Sequence, residues 1–387
     1  ATMRADGSSK FGGNNKYGYF PSVAAGWNIM NEEFLSSNST INNLKLRASW
    51  GRTGNQEIPS KITKRSFTDS RDNNDSYPIN GDESTLADYP YGTIFTRLAN
   101  PDIQWEVSEQ LDFGLDFGLF NNRLSGTLDY FNKVSENILL EVTPADPVQP
   151  TDKYWTNIPD MEIKNSGIEF SLDYHSDYSK DFSYNIGGNL AYTNNEVSNS
   201  PYEVLTTGAA QGAGQTDATI NGNINGEPIG AFYMQEFLGI GDDGLSILSD
   251  DRKVVGSALP DLIYAFYLNF NYKNFDLGLN FNGVSGNKVY NHTAMSLFSK
   301  GLLTSNFNTT SIATQFPEED ITNSNAVSTR YLEDGDFLRL NNATLGYNLN
   351  PALIGLDGLV NAIRLSITGQ NLFVITDYSG FDPEINS

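Results

Sequence analysis

Cysteine is absent from the 387 residues, and histidine occurs only as His175 and His292. The first absence removes thiol nucleophiles, disulfide frameworks, iron–sulfur clusters and Cys-ligated zinc. The wide separation of the two histidines argues against a His-based metal site. Basic residues are also scarce: 24 Lys and Arg stand against 47 Asp and Glu, a formal charge of −23. A nucleic-acid binder needs a basic stripe for phosphates, and an anionic membrane face attracts polybasic segments. Neither class fits this charge. No run of 18 apolar residues occurs, so no transmembrane helix is encoded. The opening Ala1-Thr2-Met3-Arg4-Ala5-Asp6 has no apolar leader. It reads as the end of a strand followed by a Gly-Ser turn. The last residues, after Phe381-Asp382-Pro383-Glu384, include no final aromatic strand. The chain is therefore expected to be a fragment cut at both ends.

Aromatic residues and glycine are abundant: 20 Tyr, 23 Phe, 4 Trp and 35 Gly. With 39% hydrophobic and 18% charged residues, the composition is that of a folded chain. The dominant pattern has period 2, the signature of strands with two unlike faces. Leu111, Phe113, Leu115, Phe117 and Leu119 alternate with Asp112, Gly114, Asp116 and Gly118. Ile168, Phe170, Leu172 and Tyr174 alternate with Glu169, Ser171, Asp173 and His175. Similar alternation runs over 182–193, 264–272 and 275–282. No segment shows a comparable amphipathic helix. The run from Trp105 to Leu119 would span roughly 50 Å at about 3.3 Å per residue. A membrane strand needs only about 9–11 residues, so this one crosses and protrudes. Such lengths are ordinary in a large outer-membrane barrel and odd in a sandwich.

The connections point the same way. Short turns fall at 120–122, 176–180 and 273–274. Long polar connections cover about 54–103, 134–162, 194–227 and 285–336, as external loops of a barrel would. The alternation of short and long holds from 29 to 194 and again from 273. Counting Ile229–Ile240 as a crossing breaks it by one, which predicts a further strand within 194–260. The fold class is thus all-β, a transmembrane antiparallel barrel wall of about 12–13 strands.

Six stretches carry a family resemblance. They are Arg4–Gly12 with Tyr19–Trp27, Leu44–Gln56, Asn100–Glu106 leading to Gly114–Phe117, Asn165–Glu169, Phe337–Tyr347, and Gly369–Phe373 with Tyr378–Glu384. In order and spacing they resemble the SusC/RagA-type TonB-dependent outer-membrane transporters of Bacteroidota. The resemblance implies that 1–387 is the C-terminal portion of a 22-stranded barrel, with the plug, the TonB box, the first strands and the closing strand elsewhere. It also implies a SusD-like surface lipoprotein as lid. Energy would come from the TonB–ExbB–ExbD complex, and the cargo would be glycan fragments or oligopeptides.

Several residues are candidates for a site. Asp112, Asp116, Glu169 and Asp173 face the lumen if the apolar face meets lipid; they serve as transport-path groups or simply hydrate the wall. Tyr89, Tyr91, Tyr154 and Trp155 lie in long loops, where aromatic faces can stack on sugars or peptides. A loop-packing or interfacial role is the plainer alternative. Asp242, Asp243, Asp250 and Asp251 form an incomplete calcium-loop pattern without the alternating spacing or terminal Glu, and otherwise read as a solvated turn. No cofactor is expected beyond that calcium. No nucleophile elbow, HExxH or phosphate loop is present, so no enzyme is expected. Rival readings are a SusC-like barrel serving a structural or secretion complex, a secreted soluble carbohydrate-binding β protein, and a glycoside hydrolase on a β scaffold.

Overall fold

The computed structural model describes residues 1–35, 38–70, 92–142, 154–210, 218–297, 300, 316–323, 326–356 and 358–384. The first strands are β1 (Thr2–Gly7), β2 (Tyr17–Asn28), β3 (Ile41–Asn55), β4 (Ser66–Ser70), β5 (Gly92–Arg97), β6 (Glu106–Leu119), β7 (Leu124–Val142), β8 (Tyr154–His175) and β9 (Phe182–Ser198). Six short strands follow: β10 (Leu205–Ala209), β11 (Thr219–Asn223), β12 (Ala231–Met234), β13 (Phe237–Ile240), β14 (Ser246–Leu248) and β15 (Lys253–Ser257). The chain continues with β16 (Leu262–Tyr272), β17 (Phe275–Ser285), β18 (Lys288–Tyr290), helix α1 (His292–Leu297), β19 (Leu332–Asp334), β20 (Phe337–Leu349) and β21 (Ile363–Thr376).

Eleven of these form one sheet, in the order β1-β2-β3-β6-β7-β8-β9-β16-β17-β20-β21. Each pairs antiparallel with the wall strand next in sequence, which is an up-and-down wall. Short turns gather at one end. Lys273, with φ 52°, occupies the two-residue turn between β16 and β17. Asn121 and Asn122 take left-handed conformations between β6 and β7, and Asn42 accepts the Asn121 N–H at 2.6 Å.

Register keeps the two faces separate across strand boundaries. Phe113 pairs with Tyr130, Tyr130 with Ile168, Ile168 with Tyr192 and Tyr192 with Leu262. On the opposite face, Asp116 pairs with Thr127, Thr127 with Ser171, Ser171 with Asn189 and Asn189 with Ala265. The apolar face lies open: Phe113 is 50% exposed, Tyr192 54% and Ile367 72%. In water such a band would be an association surface; against lipid it is the outer face of a barrel. Aromatic rings edge it beside the short turns. Phe182 and Tyr184 lie 5.9 Å apart, Phe182 and Phe270 6.4 Å, and Phe275 and Tyr347 4.8 Å. On β9 the next tyrosine on this face after Tyr184 is Tyr192. Those eight steps cover about 26 Å of strand, the height of an apolar belt.

Glycine and aromatic abundance have a common use in the wall. Phe117 lies over its cross-strand partner Gly126, and Phe131 over Gly167. A ring covering a neighbouring glycine shields backbone where the sheet must bend.

The expected extra crossing within 194–260 is corrected. β9 bonds directly to β16 from Tyr192↔Leu262 to Phe182↔Tyr272, which leaves no place for a strand between them. The Ile229–Ile240 segment becomes β12 and β13, outside the wall. Strands of 4 residues are too short to cross a membrane. Among the described residues the wall therefore has 11 strands, not 12–13, and successive connections leave it at alternate ends. The expected loop 134–162 is also shorter, because β7 and β8 stay paired to Val142↔Tyr154.

Buried apolar residues gather at the long-loop end, in three clusters. One joins Phe11, Phe20, Ile58, Ile62, Ile103, Trp105 and Leu139. A second joins Ile138, Val142, Ile158, Met161 and Val197. The third draws Ile220, Phe232, Met234, Tyr290, Met295, Val327 and Tyr331 from two different connections. The long connections are thus folded caps with their own cores.

Candidate functional site

Two features gather polar and charged side chains: the polar face of the wall and the cap at its long-loop end. On the polar face, β3 contributes Lys45, Arg47 and Ser49 at alternate positions. Register places Arg47 opposite Gly114. Having no side chain, Gly114 leaves room for the guanidinium, which a Cβ there would strike. Arg47 bonds Asp116 at 2.8 Å on β6 and Asp129 at 2.8 Å on β7. Asp112 accepts from Ser49 at 2.9 Å and from Gln110 at 2.7 Å. Further round, the Tyr267 hydroxyl donates to Asp173, and Arg364 on β21 pairs with Asp276 on β17. Asn280 donates to Asn342 at 2.7 Å.

All four candidate acids thus share the polar face. Asp112, Asp116 and Asp173 are engaged with neighbours, while Glu169 is exposed. A depression of about 600 Å³ is lined by Asp129, Glu169, Ser171, Asn189 and Asn282, together with Pro383 and Glu384. Glu384 and Asp382 are held there by Arg339 of β20. The surface offers many hydrogen-bond acceptors and hydroxyls, suited to a hydrated solute.

The cap is built from the described residues of the β9–β16 and β17–β20 connections. Gln235 forms a bridge to Ser328, the Thr329 N–H bonds the Gln235 carbonyl at 3.1 Å, and the Asp320 N–H bonds the Gly244 carbonyl at 2.9 Å. At the junction sits a buried ion pair. Arg330, 4% exposed at its side chain, grips Glu319, 1% exposed, through two bonds of 2.7 and 2.9 Å. Asn323 adds a bond to Glu319 at 2.7 Å. The guanidinium lies 4.9 Å from the Phe316 ring, 5.4 Å from Phe237 and 5.2 Å from Tyr331. Burial pushes the Glu319 carboxyl up, but Arg330, Asn323 and the Lys300 charge outweigh that and hold it below the usual range. Burial also pushes the Tyr290 phenol up to about 12.

The other candidates are scattered. Trp155 packs on the first loop cluster and Tyr154 on the second, both at the outer end of β8. Tyr89 and Tyr91 lie outside the described residues. Asp242 and Asp243 sit in the turn of the β13–β14 hairpin, where Asp243 accepts the Leu245 N–H at 3.1 Å. Asp250 and Asp251 follow β14 at the hairpin's other end. Among the described residues, no three His, Asp or Glu side chains cluster as a metal site would need. Arg47, Asp129, Tyr267, Glu319 and Arg330 were not singled out from sequence. The basic residues on the polar face of β3 were the available signal for Arg47; nothing local marked Arg330.

Comparison with known proteins agrees with this architecture. The profile of the TonB dependent receptor-like β-barrel family matches residues 1–372. TonB-dependent receptor P3 of Formosa agariphila is 33% identical over 420 aligned positions, covering 100% of this chain and 40% of that protein. TonB-dependent receptor SusC of Bacteroides thetaiotaomicron is 27% identical over 423 positions, covering 100% and 40%. The RagAB peptide importer in its closed-closed state superposes with a TM-score of 0.79 at 25% identity, over 99% of this chain and 42% of that one. The chain belongs to the TonB-dependent receptor β-barrel family, and its SusC/RagA-type resemblance holds in both sequence and fold. It is part of an outer-membrane barrel and spans about 40% of the length of these curated relatives.

Proposed function

We propose that the protein to which this wall belongs is a TonB-dependent importer of glycan fragments or oligopeptides in a Bacteroidota-like outer membrane. A SusD-like surface lipoprotein serves as its lid. The TonB–ExbB–ExbD complex drives it through a region outside this chain. The mechanism is gating, with no covalent chemistry and no cofactor required.

The observation that carries this reading is a single 11-stranded wall, apolar on one face and polar on the other, with folded caps at its long-loop end. Lipid covers the first face and solute passes the second. Asp112, Asp116, Glu169 and Asp173 hydrate that path, and ion pairs such as Arg47 with Asp116 keep it stiff. Tyr154 and Trp155 support the outer rim by packing. The named relatives, a SusC and a peptide importer, support the same assignment.

The test is gentle detergent extraction of the full-length parent from native outer membrane, followed by mass spectrometry of what co-purifies. A surface lipoprotein in equal amount, carrying bound glycan or peptide, is the expected result. A barrel embedded in a different large assembly would move the function to a structural or secretion role.

A further inference from the structure

We propose that the connection between β20 and β21 is an interfacial anchor that seats its leucines in the phospholipid leaflet at the short-turn end of the barrel. The connection reads Asn350-Pro351-Ala352-Leu353-Ile354-Gly355-Leu356-Asp357-Gly358-Leu359-Val360-Asn361-Ala362, with Asp357 its one charged residue. The other short turns set a single ring among polar or charged residues, or have none. The 120–123 turn is Phe120-Asn121-Asn122-Arg123, the 176–181 turn holds Tyr178 among Ser176, Asp177, Ser179, Lys180 and Asp181, and the 273–274 turn is Lys273-Asn274. In the 29–40 connection the exposed Phe34 stands beside Glu32 and Glu33.

The described residues of the connection have a definite backbone structure. Asn350 caps a 3-10 turn over Pro351–Ile354 by accepting the Ala352 N–H at 3.1 Å. Gly355, at φ 72°, ends it in the left-handed conformation. The Leu356 N–H then returns to the Pro351 carbonyl, and Val360 N–H to the Leu356 carbonyl. This framework buries none of the helical turn's side chains. Leu353 is 72% exposed, Ile354 52% and Leu359 81%. Backbone order of this kind, with Leu353, Ile354 and Leu359 turned outward and Leu356 half-buried, needs an apolar cover from elsewhere.

Continuity identifies the cover. The connection leaves the wall beside Tyr347 and returns at Leu365, both on the lipid face, where Tyr347 pairs with Leu365 and Phe275. Rings at that level mark the headgroup boundary. A segment with apolar side chains and almost no charge, starting at that boundary, lies in the interface as amphipathic anchors do. The charged and amide side chains of the other turns at this end of the wall, Lys180 and Asn274 among them, stay in water. The inference depends on the barrel fold and is independent of what the barrel carries.

Site-directed spin labelling of the full-length parent in phosphatidylethanolamine–phosphatidylglycerol nanodiscs tests it. This chain has no cysteine, so Leu359→Cys places a single label in it. Leu353→Cys is the second site, with Lys180→Cys and Asn274→Cys as aqueous references. Heat-modifiable gel mobility verifies that each variant is folded. At 353 and 359, collisions with oxygen should exceed those with a water-soluble nickel chelate several-fold, and the ratio should invert at 180 and 274. Nickel accessibility at 353 and 359 equal to that at 274 would overturn the proposal. So would an immobilised label shielded from both reagents, which would show that protein covers the segment.

Discussion

Replacing Glu319 by Gln should loosen both halves of the cap together and leave the wall intact. The exchange keeps the side chain's shape but leaves the Arg330 guanidinium buried without its counter-charge. Both side chains are almost fully enclosed, and Arg330 is packed among Phe237, Phe316 and Tyr331. Removing one partner of a buried pair costs about 3–5 kcal/mol. Retained hydrogen bonding places Gln near the lower end. Opening of the cap would then become roughly a hundredfold more frequent or more. Amide hydrogen exchange in proteoliposomes reads this directly. Protection should fall in 235–248 and 316–331 alike, since bonds such as Asp320 to Gly244 cross between them. Strands β16 and β17 should not change. Combining Glu319→Leu with Arg330→Met removes both charges and should recover much of the loss. The pair also predicts an acid limit. Its folded carboxyl lies below the unfolded value of about 4.3. The stabilisation is therefore complete above about pH 4.3 and disappears as pH falls through the lower folded value. The Gln variant should lack that acid step. Unchanged exchange in the single variant, or loosening of only one connection, would refute the reasoning.

Other perturbations separate the two faces of the wall. Leu268→Arg puts a charge on the lipid face near mid-height and should cost about 2–4 kcal/mol in reversible unfolding from vesicles, whereas Asn189→Arg on the polar face should cost far less. Arg47→Met leaves Asp116 and Asp129 facing each other unpaired; with those side chains partly solvated, a loss of about 1–2 kcal/mol is expected in the same measurement. Gly167→Ala directs a methyl at the Tyr192 carbonyl of the adjacent strand and at the Phe131 ring, which should lower stability by about 1–3 kcal/mol.

Much of the wall is legible in the residues because a strand's side-chain period is 2 and a membrane imposes one apolar face. The alternation over Leu111–Leu119 already separates Phe113 from Asp112, and register then carries each set across to its neighbours. The cap is not legible in that way. Residues 229–240 are apolar enough to suggest a crossing, but they bury Phe232 and Met234 against Tyr290 and Tyr331. A short apolar run does not reveal whether lipid or protein will cover it.

By itself the sequence determined the strand faces, the succession of turns and loops outside 194–260, and the family, since each depends on local spacing or on linear order. Only the tertiary structure decided the rest. It set the count of 11 wall strands, the meeting of Arg47 with Asp116 and Asp129, and the joining of Arg330 to Glu319 beneath Phe237. Those contacts link residues separated by up to 93 positions, such as Phe237 and Arg330. Register and loop packing bring them together, and neither leaves a periodic trace along the chain.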